Sequence, residues 1–182
     1  GLAIMKSNWG NRISTFLLFS KLVPTITIMI PLYIILDKVH LLGTYVGPIL
    51  AHVSVNAPFV AWLVLGFIRD IPGDLFEAGK LDGCTRMQVF WKIVFPLLSP
   101  AIGSALLLVM QYSWNELLFS MQYTNLHTYT LTVGVSRFVG AISVDWGQSS
   151  AAATIVMVPI IIAGFFLQKY LVSGLTAGAV KG

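Results

Sequence analysis

The segment EAGKLDGCTRMQVFWKIVFPL, from Glu77 to Leu97, lies between two long apolar runs and mixes acidic, basic and helix-forming residues. Each flanking run is long enough to cross a hydrocarbon core of about 30 Å as a helix. The segment is therefore predicted to be a polar insert that connects two membrane spans. It is the part of the chain that a soluble partner protein could bind.

Composition places the chain among integral membrane proteins. Of its 182 residues, 57% are hydrophobic and only 10% are charged, whereas soluble domains carry about 25% charged residues. The length suffices for one transmembrane domain over residues 1–182 and leaves no material for a separate soluble domain. The single cysteine, Cys84, excludes an internal disulfide, and no cluster of Cys and His predicts a metal site.

The apolar runs predict an all-α fold, a polytopic transmembrane helical bundle. A bilayer offers no water to an open backbone, so each run should be helical. We place four spans at about 16–36, 41–68, 94–119 and 148–172, the insert at about 70–93 and an external loop at about 120–147. Prolines in or at the ends of the spans predict kinked helices; they are Pro24, Pro31, Pro48, Pro58, Pro96, Pro100 and Pro159.

Orientation follows from the distribution of Lys and Arg. Lys38 and Arg137 fall on one side of the predicted membrane, and Lys21 lies within a span. The other side collects Lys6, Arg12, Arg69, Lys80, Arg86, Lys92, Lys169 and Lys181. We therefore expect both termini and the insert in the cytoplasm. The net charge of +4 reflects this topology and does not predict nucleic-acid binding.

The chain opens on a short apolar stub, Gly1–Met5, before Lys6. The stub lacks the long hydrophobic region and cleavage site of a signal peptide. It is typical of the end of a preceding helix, so we expect the chain to be an N-terminally incomplete piece of a larger membrane protein.

Local chemistry predicts a first short helix in the insert. Asp74 follows a turn at Pro72 and Gly73, and Glu77 three residues later completes a capping-box-like pattern. The helix should run to about Leu81, where Asp82 and Gly83 break it.

A second helix should begin after that break. Thr85 can cap it, with Gln88 at its third position. An apolar stripe at i, i+3, i+4 and i+7 then favours packing against the bundle or a partner; the stripe comprises Met87, Phe90, Trp91 and Val94.

Polar residues within the spans are candidates for a solute pathway or gate, because unpaired polar groups are costly in a membrane. We single out Gln111, Asn115, Glu116 and Asn56. For Asn115 and Glu116 a pathway role and a structural role stay open, since Glu116 lies near the outer end and can be solvated. Asn56 and Gln111 are better explained as interhelical hydrogen bonds, and His52 as a buried histidine with its partners satisfied.

The insert resembles the EAA loop of permease subunits from ATP-binding-cassette importers. The family pattern E-A-A, D-G-A and I-x-L-P-L is matched by Glu77-Ala78-Gly79, by Asp82-Gly83, and by Phe90, Ile93, Pro96 and Leu97. The stretch from Gln168 to Gly182 is similar to the C-terminal tail of the carbohydrate-uptake branch, as are Ser113-Trp114-Asn115-Glu116 and Asp145-Trp146-Gly147. Together these segments extend the resemblance over essentially the whole chain. Gly79 and Phe95 depart from it, standing where the family usually has alanine and leucine.

The resemblance implies a type I importer permease with four of a usual six spans, in the bacterial or archaeal cell (inner) membrane. Its partners would be a homologous second permease, two cytoplasmic ATPase subunits and an extracytoplasmic sugar-binding protein. On this mapping Glu77, Ala78, Gly79, Asp82 and Gly83 form the ATPase-docking coupling helix and its turn. The lever that follows contains Phe90, Ile93 and Pro96. Gly79 should soften the helix by about 1 kcal/mol relative to alanine.

The residues show no catalytic machinery. There is no G-x-x-x-x-G-K-[ST] phosphate loop, so ATP would be bound by the partner ATPase, and we expect neither an enzyme, a metal nor a cofactor in this chain. Two alternatives stay open: a structural membrane subunit or assembly factor that docks an ATPase without conducting, and a permease for a non-carbohydrate solute.

Overall fold

The structure is a computed structural model that describes the backbone of residues 8–138 and 145–179, with side-chain surroundings given for 11–138 and 145–168. Every regular element in these ranges is helical. Two helices, Val46–Asp70 and Trp146–Gln168, are long and apolar enough to cross a membrane, and there are up to four spans if each of two bent helix pairs counts as one. The predicted helical membrane fold is confirmed.

The first apolar run, predicted as a span at 16–36, consists of two helices, which count as one span if the bent pair is taken together. Helix α1 covers Asn8–Phe19 and continues as a 3-10 turn over Ser20–Leu22, and α2 covers Thr25–Lys38. The break falls at Pro24, whose φ of −58° and ψ of 131° are extended rather than helical. Proline lacks a backbone N–H and disfavours helical geometry in the preceding residue, which explains why the run divides here.

The second span is α3, Val46–Asp70. It begins later than the predicted residue 41 because a tight turn precedes it. His40 and Gly43 in that turn have positive φ angles of 56° and 72°. The turn therefore uses left-handed backbone conformations that a helix cannot accommodate.

The insert and the third span form a continuous series of helices. Helix α4 covers Gly73–Leu81, α5 covers Arg86–Val89, a π-helical turn covers Phe90–Val94, α6 covers Phe95–Leu97 and α7 covers Ser99–Asn115. The stretch Arg86–Leu97 is bent by 63° from Ser99–Asn115. Pro96, Pro100 and the π-helical turn are the recognised causes of such a bend.

The predicted third span, 94–119, ends earlier than expected. Helix α7 stops at Asn115, and a separate short helix, α8, covers Leu118–Tyr123. Helix α9 follows over Leu131–Ser136, and α10 covers Trp146–Ala179. The stretch from Gln168 to Gly182, whose sequence is similar to the C-terminal tail of the carbohydrate-uptake branch, lies mostly outside the residues whose side chains are described.

The chain divides into two compact units. One comprises residues 1–21, 58–107 and 167–182, and the other comprises 22–57 and 108–166. The core of the first contains Val89, Val94 and Leu98. The core of the second contains Leu36, Ala51, Phe119 and Tyr123.

Candidate functional site

The turn between α4 and α5 is fixed by backbone hydrogen bonds. The N–H of Cys84 donates to the Gly79 carbonyl at 2.9 Å, and the N–H of Gly83 donates to the Lys80 carbonyl at 3.0 Å. Gly83 has a φ of +75°. This is the Schellman pattern, in which a left-handed residue after the helix satisfies its last carbonyls. The predicted stop at Gly83 therefore has a specific geometric cause.

A capping box starts α5 immediately after that turn. The N–H of Gln88 donates to Thr85 Oγ1 at 3.3 Å, and the N–H of Thr85 donates to Gln88 Oε1 at 2.8 Å. The capping box predicted from the sequence is confirmed. The corresponding prediction for α4 is wrong: Pro72 occupies the N-cap position without a side-chain cap, and Asp74 lies inside the first turn. Pro72 and Gly73 start the helix two residues earlier than the acidic pattern suggested.

Gly79 brings α4 into close contact with the following helical stretch. A Cβ atom at this position would lie 2.9 Å from Ile93 Cδ1 and 3.1 Å from Val89 Cγ2. Both distances are shorter than an ordinary van der Waals contact, so a side chain at this position would force Ile93 and Val89 to shift. Propensity alone had suggested only that Gly79 would weaken the helix.

The remaining predicted docking residues lie on the surface. Glu77, Ala78, Asp82 and Gly83 are exposed, whereas Gly79 is buried. Leu81, between the acidic residues, is 88% exposed. The same short element thus presents polar groups and the apolar side chains of Leu75 and Leu81, while Gly79 is buried.

The predicted apolar stripe of the second helix is divided between two faces. Val94 is buried, but Met87, Phe90 and Trp91 are exposed. The α-helical spacing on which the stripe was based is lost because residues from Phe90 to Val94 form a π-helical turn. The buried face instead runs through Val89, Val94 and Leu98.

The insert is attached to the end of α3 through this buried face. Val64, Phe67 and Ile68 of α3 pack on the cluster, together with Phe76 of α4 and Ile93. On the exposed side, the rings of Phe90, Trp91 and Phe95 contact one another, with centroids 5.1–6.3 Å apart. Of the predicted lever residues, Ile93 therefore faces the core, whereas Phe90 and Pro96 are exposed.

Glu116 occupies the break between α7 and α8. One carboxyl oxygen accepts a hydrogen bond from the N–H of Phe119 at 2.8 Å, and the other accepts from the N–H of Ser120 at 3.2 Å. The residue is 8% exposed, so the expectation that it can be solvated is wrong. Its carboxyl group satisfies donors at the start of α8 that would otherwise lack partners.

Aromatic residues and His52 surround that carboxyl group. His52 Nε2 lies 3.9 Å from Glu116 Oε2, and Phe119 stacks on Tyr123. The Tyr123 hydroxyl donates to the Met29 carbonyl at 2.6 Å; burial, and then the Glu116 charge, raises the pKa of Tyr123 to about 12. His52 Nδ1 is buried without a hydrogen-bond partner among the described residues, so the predicted satisfied histidine is not observed.

A cavity of about 640 Å³ lies beside α7 in the same unit. Its polar lining comes from Thr25, Gln111, Tyr112, Asn115 and Glu116, and Leu108, Leu117 and Leu118 supply the apolar part. Sequence reasoning found Gln111, Asn115 and Glu116 but missed Thr25 and Tyr112. Tyr112 lies one helical turn before the predicted Glu116, which is a usable signal, whereas no local pattern indicates Thr25.

Two polar residues of α3 and α7 bond along their own helices. Asn56 is buried and its side-chain N–H donates to the His52 carbonyl at 2.9 Å. The side-chain N–H of Asn115 donates to the Gln111 carbonyl at 2.8 Å, and Asn115 is exposed. The structure thus brings Gln111, Asn115 and Glu116 to one cavity, and Asn56 is not among its lining residues.

Trp114 connects α7 to two other helices of this unit. Its indole N–H donates to the Val156 carbonyl of α10 at 3.2 Å, and its carbonyl accepts from the Thr132 hydroxyl of α9 at 2.6 Å. The helix that carries the cavity residues is therefore held in place by specific hydrogen bonds.

Comparison with known protein families assigns the helical membrane chain to a transport family. Residues 2–177 match the family described as binding-protein-dependent transport system inner membrane component. The chain belongs to this family. Membership in this transport family agrees with the resemblance that the insert and the C-terminal segment suggested.

Individual relatives in the family extend over most of the chain. A probable ABC transporter permease protein, y4oR, of Sinorhizobium fredii is 36% identical over 172 residues, 94% of this chain and 62% of the relative. The trehalose/maltose transport system permease protein MalG of Thermococcus litoralis is 35% identical over 172 residues, 93% of this chain and 62% of the relative. The chain thus spans less than two thirds of the length of these relatives.

A solved structure of related fold supports the architecture. A chain from a bacterial ABC transporter involved in the import of the acidic polysaccharide alginate matches with a TM-score of 0.68 and 22% identity. The match covers 93% of this chain and 64% of that one. It shows that the two chains share a fold.

Proposed function

We propose that this chain forms the membrane part of a permease subunit in an ATP-driven sugar importer. It would line part of the solute pathway and receive the movement of a cytoplasmic ATPase through the insert. The proposed partners are a homologous permease, two ATPase subunits and an extracytoplasmic sugar-binding protein, in the cell (inner) membrane with both termini cytoplasmic. Relatives named for trehalose/maltose and for arabinooligosaccharides support carbohydrate as the solute class.

The observation that carries this proposal is the construction of the insert. Helix α4 is ended by the Schellman turn at Gly83, α5 is started by the Thr85 capping box, and the two are packed together through Gly79. Two short helices joined in this way move as one body. The same body packs on the end of α3, so a displacement of α4 would reach a membrane span.

The outward surface of α4 supports docking on a protein partner. Glu77 and Asp82 are exposed acidic groups, and Leu81 between them is 88% exposed. A projecting apolar residue surrounded by charges is the arrangement expected of a protein interface with a hydrophobic contact and a polar rim. A cleft with cationic groups on the ATPase would complement it.

A charge-reversal experiment in the assembled transporter tests the docking. The permease carries an affinity tag, and the amount of ATPase that co-purifies is measured for Glu77→Lys and for the matched control Asp37→Lys. Asp37 is also an exposed acidic residue, located at the end of α2. We expect Glu77→Lys to reduce ATPase recovery about tenfold, as loss of a close charge pair does.

The control variant and the unmodified complex define how the amount of co-purified ATPase is interpreted. Asp37→Lys should retain ATPase at the unmodified level. Equal loss in both variants would mean that the insert has no special role, and absence of any ATPase from the unmodified complex would remove the importer assignment altogether.

A further inference from the structure

The cavity beside α7 has the properties of a binding site for an uncharged saccharide, and this inference rests on the proposed import function. Gln111 and Asn115 are one helical turn apart and are both exposed on a helix of the third span. Exposed amides are unfavourable against lipid. Their surface must therefore meet water, a solute or a protein.

The lining provides the groups that bind sugar hydroxyls. Amide side chains both donate and accept hydrogen bonds, and the hydroxyls of Thr25 and Tyr112 lie 3.3 Å apart at the same cavity. Tyr112 adds an aromatic surface, and Leu118 adds an apolar one. A site that combines apolar walls with a few convergent polar groups is the usual form of a small-molecule pocket.

Glu116 is a structural member of this cavity rather than a solute ligand. Both of its carboxyl oxygens already accept hydrogen bonds from the N–H groups that begin α8. Solute contacts are left to the amides and hydroxyls. This assignment separates Glu116 from Gln111 and Asn115, which the sequence grouped together.

The charge of the lining sets the class of solute. Among the described residues that line the cavity there is no Lys, Arg or His, and the single ionisable carboxyl group belongs to Glu116. An anionic sugar placed here would meet no cation to offset its desolvation and would be repelled by that carboxylate. We propose that the Thr25, Gln111, Tyr112 and Asn115 surface binds uncharged saccharides and discriminates against acidic ones.

A cysteine-protection experiment in the assembled transporter tests the proposal. Leu118→Cys is introduced after replacement of Cys84 and the partners' cysteines by serine, so that a reporter lies in the cavity while its polar residues stay intact. Alkylation by a small neutral thiol reagent is then timed with a mixture of maltose, trehalose and melibiose, or with digalacturonate. We expect the neutral mixture to slow alkylation about tenfold at saturation, with less than about a twofold change from digalacturonate.

Two controls make the result specific. Met121→Cys, on the same helix and 60% exposed but not lining the cavity, should react equally fast with and without sugar. Adding Asn115→Leu to the Leu118→Cys reporter should raise the sugar concentration for half-protection about tenfold, because the hydrogen bonds of the Asn115 amide are lost.

Three outcomes would overturn the proposal. Neutral sugars could fail to protect the cysteine, or digalacturonate could protect it equally well. In the third, the cysteine is shielded without any sugar, which would indicate that a partner helix covers the amides. ATP hydrolysis stimulated by the binding protein is measured on the same preparation. If that stimulation persists without protection, the saccharide site falls and the import function stands. If both are absent, the import function itself falls.

Discussion

A Cβ atom on Gly79 would lie 2.9 Å from the Cδ1 atom of Ile93. This contact joins α4 to the helical stretch that leads into the third span. It replaces the interpretation of Gly79 as a point of softness, because a glycine at a close approach stabilises packing that alanine would disturb.

We expect Gly79→Ala to reduce the local stability of the insert by about 1 kcal/mol. Overpacking costs about 1–3 kcal/mol, and the higher helix propensity of alanine offsets about 1 kcal/mol of it. Adding Ile93→Val removes the obstructing Cδ1 and should restore stability despite the smaller side chain. Hydrogen exchange of the Cys84 amide, which bonds to the Gly79 carbonyl, measures the effect.

Gly73→Ala is the matched control for this pair, since open space surrounds Gly73 in the same helix. Gly73→Ala should leave hydrogen exchange of the insert amides unchanged or make it slower. If Gly79→Ala behaved like Gly73→Ala, the close contact with Ile93 would have no energetic importance.

The turn at Gly83 should reject side chains according to their tolerance of left-handed backbone. With φ at +75°, alanine is expected to cost about 1–2 kcal/mol and asparagine less, because asparagine adopts this conformation more readily. Valine should be the most harmful of the three. Protease sensitivity of the α4–α5 turn in the assembled transporter would rank them, and an equal ranking of alanine and asparagine would contradict a conformational cause.

Removal of the Glu116 carboxyl group should destabilise the start of α8. Glu116→Ala leaves two buried N–H groups without acceptors, so a loss of about 2–4 kcal/mol is expected. Glu116→Gln keeps one acceptor oxygen and should lose about half as much. Thermal unfolding of the purified transporter, followed by Tyr and Trp fluorescence, gives the comparison.

Asn115→Ala supplies a reference for that series, because the adjacent Asn115 is exposed and bonds only along its own helix among the described contacts. A stability loss of less than about 1 kcal/mol is expected for it. Similar losses of stability at both positions would mean that the end of α7 is sensitive to any substitution and that Glu116 has no capping role.

The hydroxyl of Thr132 should be needed to hold α9 against α7. Thr132→Val keeps the shape but removes the donor to the Trp114 carbonyl, and we expect a local loss of about 1 kcal/mol. Hydrogen exchange over residues 131–136 reports it. Thr154→Val, which removes a bond within α10 to the Ser150 carbonyl, should not change exchange in α9.

Local signals were sufficient for the turn between α4 and α5. The Thr85 capping box and the helix break at Gly83 depend on residues within one helical turn, and both predictions are confirmed. Asp74 fits the same kind of pattern, yet Pro72 takes the N-cap position instead. Asp74 and Pro72 each favour a helix start at a different position, and the restricted backbone geometry of proline determined the observed one.

Span boundaries were predictable only in outline, because hydrophobicity records burial in lipid and not helix continuity. The apolar run through Pro24 is broken into two helices, and the run into α8 is interrupted at Glu116. The π-helical turn from Phe90 to Val94 likewise changed which side chains face inward. These departures come from backbone hydrogen bonding, which average hydropathy does not register.

The sequence by itself determined that the chain is a helical membrane protein with a charged, capped insert, because composition and short-range capping chemistry act within a few residues. The tertiary structure decided the close contact of Gly79 with Ile93 and the pairing of Thr25 with Tyr112 across 87 positions. Such contacts depend on where separate helices meet. Side-chain packing sets that meeting, and no local pattern encodes it.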